Sequence, residues 1–377
     1  MTNKIFSFFS GSGFLDLGFE KNEYEVVFVN EYHMPFLNAY KHSRKILKLP
    51  EPIYGYSSES IEALESDKKF MHQLSGQVIK ERKSGNISGF IGGPPCPDFS
   101  VGGKNRGKEG ENGRLSQTYC NVVCATRPDF FVFENVKGLW RTKRHREFYE
   151  QLKDQFRGAD YLLSDRLTNC LEFGAPQDRD RIILIGLSKS LLKRLSINDE
   201  ETLGNTLTWA QHVSYDTRTV LELPWPDRDE YSENNKRNRL KSLPKTLTVE
   251  HWFKKNKVDT HPNSKHHFIP RAALPKFKII AEGDTSKKSF KRLHRWRFSP
   301  TAAYGNNEVH IHPYLPRRIS AAEALAIQSL PAEFEFPSSM SLSNMFKSIG
   351  NGVPFLMASG IAVVIKDLLD NIKQNKN

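Results

Sequence analysis

The chain has 377 residues, of which 38% are hydrophobic, 26% charged and 11% aromatic, with four cysteines. That length suits two domains, the aromatic content excludes a disordered chain, and so few cysteines exclude a disulfide scaffold and fit a reducing compartment. The net charge is +12, and residues 232–297 alone hold 18 Lys or Arg against 5 Asp or Glu, leaving 37 of the 55 basic and 38 of the 43 acidic residues for a nearly neutral remainder. The N-terminus carries no apolar stretch with a small-residue cleavage site, so no signal peptide is expected.

Short apolar runs at residues 5–9, 25–29, 90–91, 130–133 and 181–187 read as buried strands, each followed by Gly, Asn or Pro or bounded by them. Stretches 14–21, 32–48, 116–126 and 147–156 read as helices. This alternation predicts an α/β fold with a mostly parallel sheet, whose sites lie in loops at the carboxyl ends of strands.

The loops carry the chemistry. Phe9-Ser10-Gly11-Ser12-Gly13 follows the first strand, where two glycines let the backbone approach a ligand. Glu31 follows the second strand and is placed to accept ribose hydroxyls. The pair suits an adenosine-containing cofactor without separating NAD from S-adenosylmethionine; Asp16, where a dinucleotide motif has its third glycine, counts against a pyrophosphate. Gly92-Gly93-Pro94-Pro95-Cys96-Pro97 sets one thiol in a stiff loop, either a nucleophile or a plain turn. Residues 101–108 are Gly-rich and basic, a loop suited to closing over a substrate. Cys120 and Cys124 share a helix face but lack zinc-like partners, so no metal is expected.

Phe133-Glu134-Asn135-Val136 ends a strand in a carboxyl group. Enclosed by Phe133 and Val136 it is expected to favour the protonated form and to give a proton; a helix cap or an ion-pair partner is the plain reading. In Gln177-Asp178-Arg179-Asp180-Arg181 the two arginines share a strand face and suit an anion or a carbonyl oxygen, or else a local ladder with the aspartates.

From 191 to 316 the periodicity is lost, as in a separate irregular module, and the basic segment lies inside it. Its positive charge predicts a polyanion or a solvated surface. Trp252, Phe253, Phe268, Phe277, Phe290 and Trp296, interleaved without helical period, favour nucleic acid over a membrane, and His261, His266 and His267 are expected to face DNA or solvent. Ser320 and Glu323 form a capping-box pattern. Gly350-Asn351-Gly352-Val353-Pro354 opens the last helix, capping it or touching a ligand. That helix places Ile361, Val364, Ile365, Leu368, Leu369 and Ile372 on one face, which must dock on the first domain. Its apolar run, 353–365, is short for a bilayer span, so no membrane is expected.

In order, a Phe-x-Gly-x-Gly turn, Gly-Pro-Pro-Cys, Glu-Asn-Val, Gln-x-Arg-x-Arg, a motif around Arg318, Glu323 and Gln328, and Gly-Asn-Gly-Val-Pro resemble the DNA (cytosine-5)-methyltransferase family over residues 5–187 and 317–372. The resemblance implies a Rossmann-like S-adenosylmethionine-dependent catalytic domain (1–190), a target recognition domain (191–316) and a return to the catalytic domain (317–377). It implies Cys96 as nucleophile at C6 of cytosine, Glu134 at N3, and Arg179 and Arg181 at O2. Phe9, Gly11, Gly13, Glu31, Tyr32, Pro95, Asn351 and Val353 line the S-adenosylmethionine site. It further implies base flipping with closure of the 101–115 loop, double-stranded DNA as substrate, a monomer in the cytoplasm, and a cognate restriction endonuclease as functional partner. Pro97 replaces the family's usual Gln, Phe14 stands where Gly is common, and Glu59 is the nearest stand-in for the adenine-contacting acid. RNA cytosine methylation and a non-enzymatic DNA-binding role are the competing readings; the large recognition segment and the intact Cys96, Glu134 and Arg179 set stand against them.

Overall fold

The computed structural model describes residues 2–95, 111–270, 272–302, 304 and 308–374. Cys96 and the loop to residue 110 therefore lie outside the described residues.

Seven strands form one sheet in the order β3-β2-β1-β4-β5-β7-β6. They are β1 (Asn3–Phe8), β2 (Tyr24–Asn30), β3 (Tyr56–Ser57), β4 (Ile87–Gly92), β5 (Phe130–Val136), β6 (Tyr161–Asn169) and β7 (Asp180–Ser188). β1 to β5 pair in parallel, whereas β7 runs antiparallel to both β5 and β6. β1 and β4 are buried along their whole lengths, which is why they read as continuous apolar runs. β6 has a half-exposed centre of Ser164, Asp165, Arg166 and Leu167, which hid it from an apolar-run reading.

The helices of the α/β part are α1 (Phe14–Glu20), α2 (Met34–Ile46), α3 (Ile61–Ser66), α4 (Lys68–Lys83), α5 (Glu111–Thr126), α6 (Gly138–Arg141) and α7 (Lys143–Gly158). One face of the sheet packs Phe6, Phe8, Phe28, Phe90 and Phe131 against Leu74 and Val78 of α4, Tyr119 of α5, and Tyr149 and Phe156 of α7. The other packs Ile5, Val26, Ile91 and Val132 against α1 and the C-terminal helix.

After β7 the elements shorten: α8 (Lys189–Leu192), α9 (Glu200–Thr206), α10 (Trp209–His212), α11 (Thr217–Glu222), α12 (Val249–Lys255) and α13 (Leu274–Phe277). This region is irregular, as its composition implied, but its packing is not independent. Leu191, Leu192, Ile197, Leu203 and Leu207 join the core beneath the sheet. Val249, Trp252, Phe253, Val258 and Leu293 share a second core with Phe14, Leu17, Phe36 and Ala39 of α1 and α2. The aromatics interleaved with the basic residues are therefore partly structural: Trp252, Phe253 and Phe277 are buried. His261 is buried as well, bonding the Phe334 carbonyl and accepting from the Asn263 N–H, which corrects the expectation that it faces DNA or solvent.

The chain returns through α14 (Ala321–Ile327), α15 (Leu342–Asn351) and α16 (Phe355–Gln374). The capping box at Ser320 and Glu323 is formed. Asn351 ends α15 instead of opening the last helix, because Gly352 and Val353-Pro354 separate the two helices. The helical stretch Leu342–Gln374 is longer than its central apolar run and is long and apolar enough by composition to cross a membrane. Its apolar side is spent internally. Gly18 lets α1 approach Ala358 so closely that a Cβ would sit 2.5 Å away, the Tyr24 hydroxyl donates to the Ala362 carbonyl at 3.0 Å, and Ile361, Val364 and Ile365 are fully buried.

Candidate active site

β1, β4 and β5 are neighbours, so the loops at their carboxyl ends meet at one edge. After β1, Phe9 takes a left-handed backbone (φ 52°), as do Gly11 (57°) and Gly13 (82°). The glycines serve different ends. A Cβ at Gly11 would meet nothing within 4 Å, so this residue faces open space. A Cβ at Gly13 would lie 2.3 Å from the Arg44 guanidinium, so here glycine makes room for a side chain of the protein itself. An arginine in the last turn of α2 reads as a solvated helix end, so this role is not visible from the order of residues.

The Glu31 carboxylate accepts from the Gly11 N–H (2.8 Å) and the His33 N–H (2.7 Å), joining the ends of β1 and β2. Burial raises this carboxyl above its ordinary range, and those two N–H groups oppose the shift. Ser10 Oγ and His33 Nδ1 are buried atoms with no partner among the described residues. An open glycine turn, a carboxylate and two unsatisfied polar atoms fit a small polar cofactor, and S-adenosylmethionine is of that kind. Tyr32 is exposed beside Glu31. Glu59 is exposed just after β3. Ser12 bonds Ser348 of α15 at 2.6 Å, so Asn351 and buried Val353 are carried on elements anchored to the same turn. Phe14 fills the space over Gly352, where a Cβ would touch its ring at 2.3 Å.

Beneath this turn lies a buried polar network. The Asp16 carboxylate accepts from Ser7 Oγ (2.9 Å) and the Tyr40 hydroxyl (2.9 Å). Arg44 donates to the Gly13 carbonyl (2.7 Å), reaches the Ser12 carbonyl (3.4 Å) and pairs with Glu20 at 2.7 Å. Burial, opposed by the Arg44 charge and reinforced by Glu20, lifts the Asp16 carboxyl to about 6.

At the end of β4, a Cβ on Gly93 would lie 2.6 Å from Glu134 Oε2, so the Gly-Gly-Pro-Pro stretch runs directly against Glu134. Pro95, exposed, is the last described residue before Cys96. Register explains the partner of Glu134. Arg181 stands opposite Val136 in the antiparallel β5–β7 pair, and Val136 shares a sheet face with Glu134. Arg181 Nε meets Glu134 Oε1 at 2.7 Å, with both side chains about nine-tenths buried. The apolar enclosure expected for Glu134 is thus a charged one.

Arg179 does not share this pairing. It precedes β7 and turns away, donating to the carbonyls of Gly350 (2.8 Å) and Ala302 (3.3 Å). Its Nε is buried with no partner among the described residues, and burial together with the nearby Arg181 charge disfavours its cation. The fully buried amides of Gln177 and Gln328 extend the assembly. Gln177 accepts from the Ala302 N–H at 3.1 Å, the two amides meet at 3.4 Å, and Gln328 donates to the Ile349 carbonyl at 2.5 Å. Gln177 and Gln328 stood in motifs singled out from the sequence, but their mutual contact spans 151 positions and was not readable there.

The C-5 cytosine-specific DNA methylase family model matches residues 3–367. The Type II methyltransferase M.NmeDI of Neisseria meningitidis is 57% identical over 97% of this chain and 84% of its own length. The Type II methyltransferase M.FnuDI of Fusobacterium nucleatum is 27% identical over 99% and 97%. Among solved structures, a DNA modification methyltransferase encoded within an E. coli prophage superposes with a TM-score of 0.58 at 22% identity, covering 98% of this chain and all of the other. The Spodoptera frugiperda DNMT2 structure gives 0.55 at 15% identity, with 98% and 99% covered.

Two outcomes are expected. Gly93→Ala should push Glu134 aside and lower kcat by roughly a hundredfold with the fold retained, checked by steady-state kinetics and circular dichroism. Asp16, whose proton is held more tightly in the folded chain, contributes stability that is full below its unfolded value and lost as pH rises through about 6. Asp16→Asn should therefore make the decline of stability between about pH 4 and pH 6 shallower in urea titrations.

Proposed function

The chain belongs to the C-5 cytosine-specific DNA methylase family and is a DNA cytosine-5-methyltransferase, and from that premise we propose how its residues divide the work. The observation that carries the reading is the convergence of three loops on adjacent strands: the open turn at Gly11, the Gly93 stretch leading to Cys96, and Glu134 held by Arg181.

S-adenosylmethionine, when bound, supplies an electrophilic methyl group. Phe9, Gly11, Gly13, Glu31, Tyr32, Pro95, Asn351 and Val353 hold it, with Glu31 accepting from its ribose. C5 of cytosine is a poor nucleophile, so the Cys96 thiolate first bonds to C6 and moves electron density to C5. Glu134, entering the reaction in its acid form, hydrogen-bonds N3 and passes its proton there, leaving a carboxylate beside Arg181 as the charge develops on the ring. Arg181 fixes the Glu134 carboxylate, and Arg179, whose Nε–H has no partner among the described residues, serves the O2 side. Once C5 carries the methyl group, a solvent water takes the C5 proton, the C–H electron pair re-forms the C5–C6 double bond, and the C6–S bond breaks to release the Cys96 thiolate. The base must leave the duplex to reach Cys96, so the substrate is flipped.

The segment 191–316 is the target recognition region in this reading. Its charges divide by residue type. Every described lysine between 232 and 297 except half-buried Lys291 is exposed, while the described arginines are buried or half-buried. Arg295 makes a two-point pair with Glu282, and Arg292 holds the carbonyls of Phe277, His312 and Leu315. The lysines thus form a positive outer surface suited to phosphates. In this reading the enzyme is a monomer with a restriction endonuclease as its functional partner, and the Type II name of the relatives suits a restriction–modification context.

Cys96→Ser should abolish transfer of labelled methyl groups to duplex DNA while S-adenosylmethionine binding persists; full activity in that variant would refute the mechanism. Duplex affinity should fall by roughly three orders of magnitude between about 50 and 200 mM salt. Alanine at exposed lysines of 236–288 should flatten that dependence without altering S-adenosylmethionine affinity, as measured by fluorescence anisotropy and calorimetry.

A further inference from the structure

We propose that Arg44 is a positioning residue for cofactor binding, holding the Ser12–Gly13 carbonyls from beneath so that Gly11 faces the cofactor. The inference rests on the reading of the Gly11 turn as the S-adenosylmethionine site.

Three observations converge on it. Arg44 is 1% exposed; its two terminal nitrogens donate to the turn carbonyls, to Ser43 Oγ and to Glu20, while its Nε is buried with no partner among the described residues. Gly13 owes its lack of a side chain to this guanidinium, which fills the volume a Cβ would need. The surroundings hold Arg44 in one place: its guanidinium lies over the Tyr40 ring at 3.9 Å, and Tyr40 is itself tied to Asp16. In the turn Phe9, Gly11 and Gly13 are all left-handed; because glycine is free to take many conformations, an outside constraint is what holds the turn in this one. Arg44 supplies that constraint from the side away from the open face of Gly11. A planar cation with several fixed donors suits two carbonyls and a carboxylate at once; an ammonium does not span them.

The test is a comparison of the full-length enzyme with Arg44→Met and Arg44→Lys. Arg44→Met keeps the volume and removes the donors, and should raise KM for S-adenosylmethionine by roughly tenfold or more while kcat changes by less than about threefold. Arg44→Lys keeps the charge and should give an intermediate KM, about threefold above wild type. Affinity for duplex DNA, read by anisotropy, should not move. Unchanged KM in either folded variant, with only a lowered thermal midpoint, would overturn the inference and leave Arg44 a scaffold residue. If Arg44→Met does not fold, Arg44→Lys alone decides by the same criterion. Titration of the wild-type protein with S-adenosylmethionine separates the two levels of failure. No binding there refutes the site, whereas wild-type binding matched by both variants refutes only the role of Arg44.

Discussion

The ion pair between Glu134 and Arg181 sets the geometry of the carboxyl edge of the sheet, on which the proposed reaction depends. Both groups are nearly buried, so each would carry a severe desolvation cost without the other. Their meeting is possible only because β7 runs antiparallel to β5 and brings Arg181 opposite Val136. A parallel sixth strand would carry its N-terminal arginines to the opposite end of the sheet. The one reversal in the sheet thus delivers a cation to the carboxyl edge, where a carboxylate and a stiff Gly-Pro loop already lie.

Much of this was legible in the sequence. The strands β1, β2, β4, β5 and β7 were readable because their residues are buried on both faces and form apolar runs. Glu134, Arg179 and Arg181 were readable because ordered motifs place them at strand ends. The edge strand β6 breaks its apolar Tyr161-Leu162-Leu163 start with Ser164, Asp165 and Arg166 in succession, so its apolar run is too short to mark a nine-residue strand. α4 buries only Leu74, Val78 and Glu81, too few to mark a face. Arg44 escaped for a related reason: an arginine late in a polar-faced helix is ordinarily at the surface, and its burial depends on Glu20 and the turn carbonyls, which are far away in sequence.

The irregular region was read as a module apart, and its composition is indeed distinct. Its packing ties it to the rest. Trp252 and Phe253 share a core with Phe14 and Phe36, and Arg179 touches Ala302 on one side and Gly350 on the other. Residues 191–316 and the loops at the carboxyl edge of the sheet are therefore joined by close-packed groups.

The division of cations within that segment has its own consequence. Guanidinium groups are committed to internal carbonyls and carboxylates, whereas amines point outward. Scaffold and contact surface are thereby written in different letters. An exposed amine can be exchanged at little cost to the packed interior, whereas losing an arginine strands buried carbonyls and carboxylates, so the frame outlasts changes at its surface.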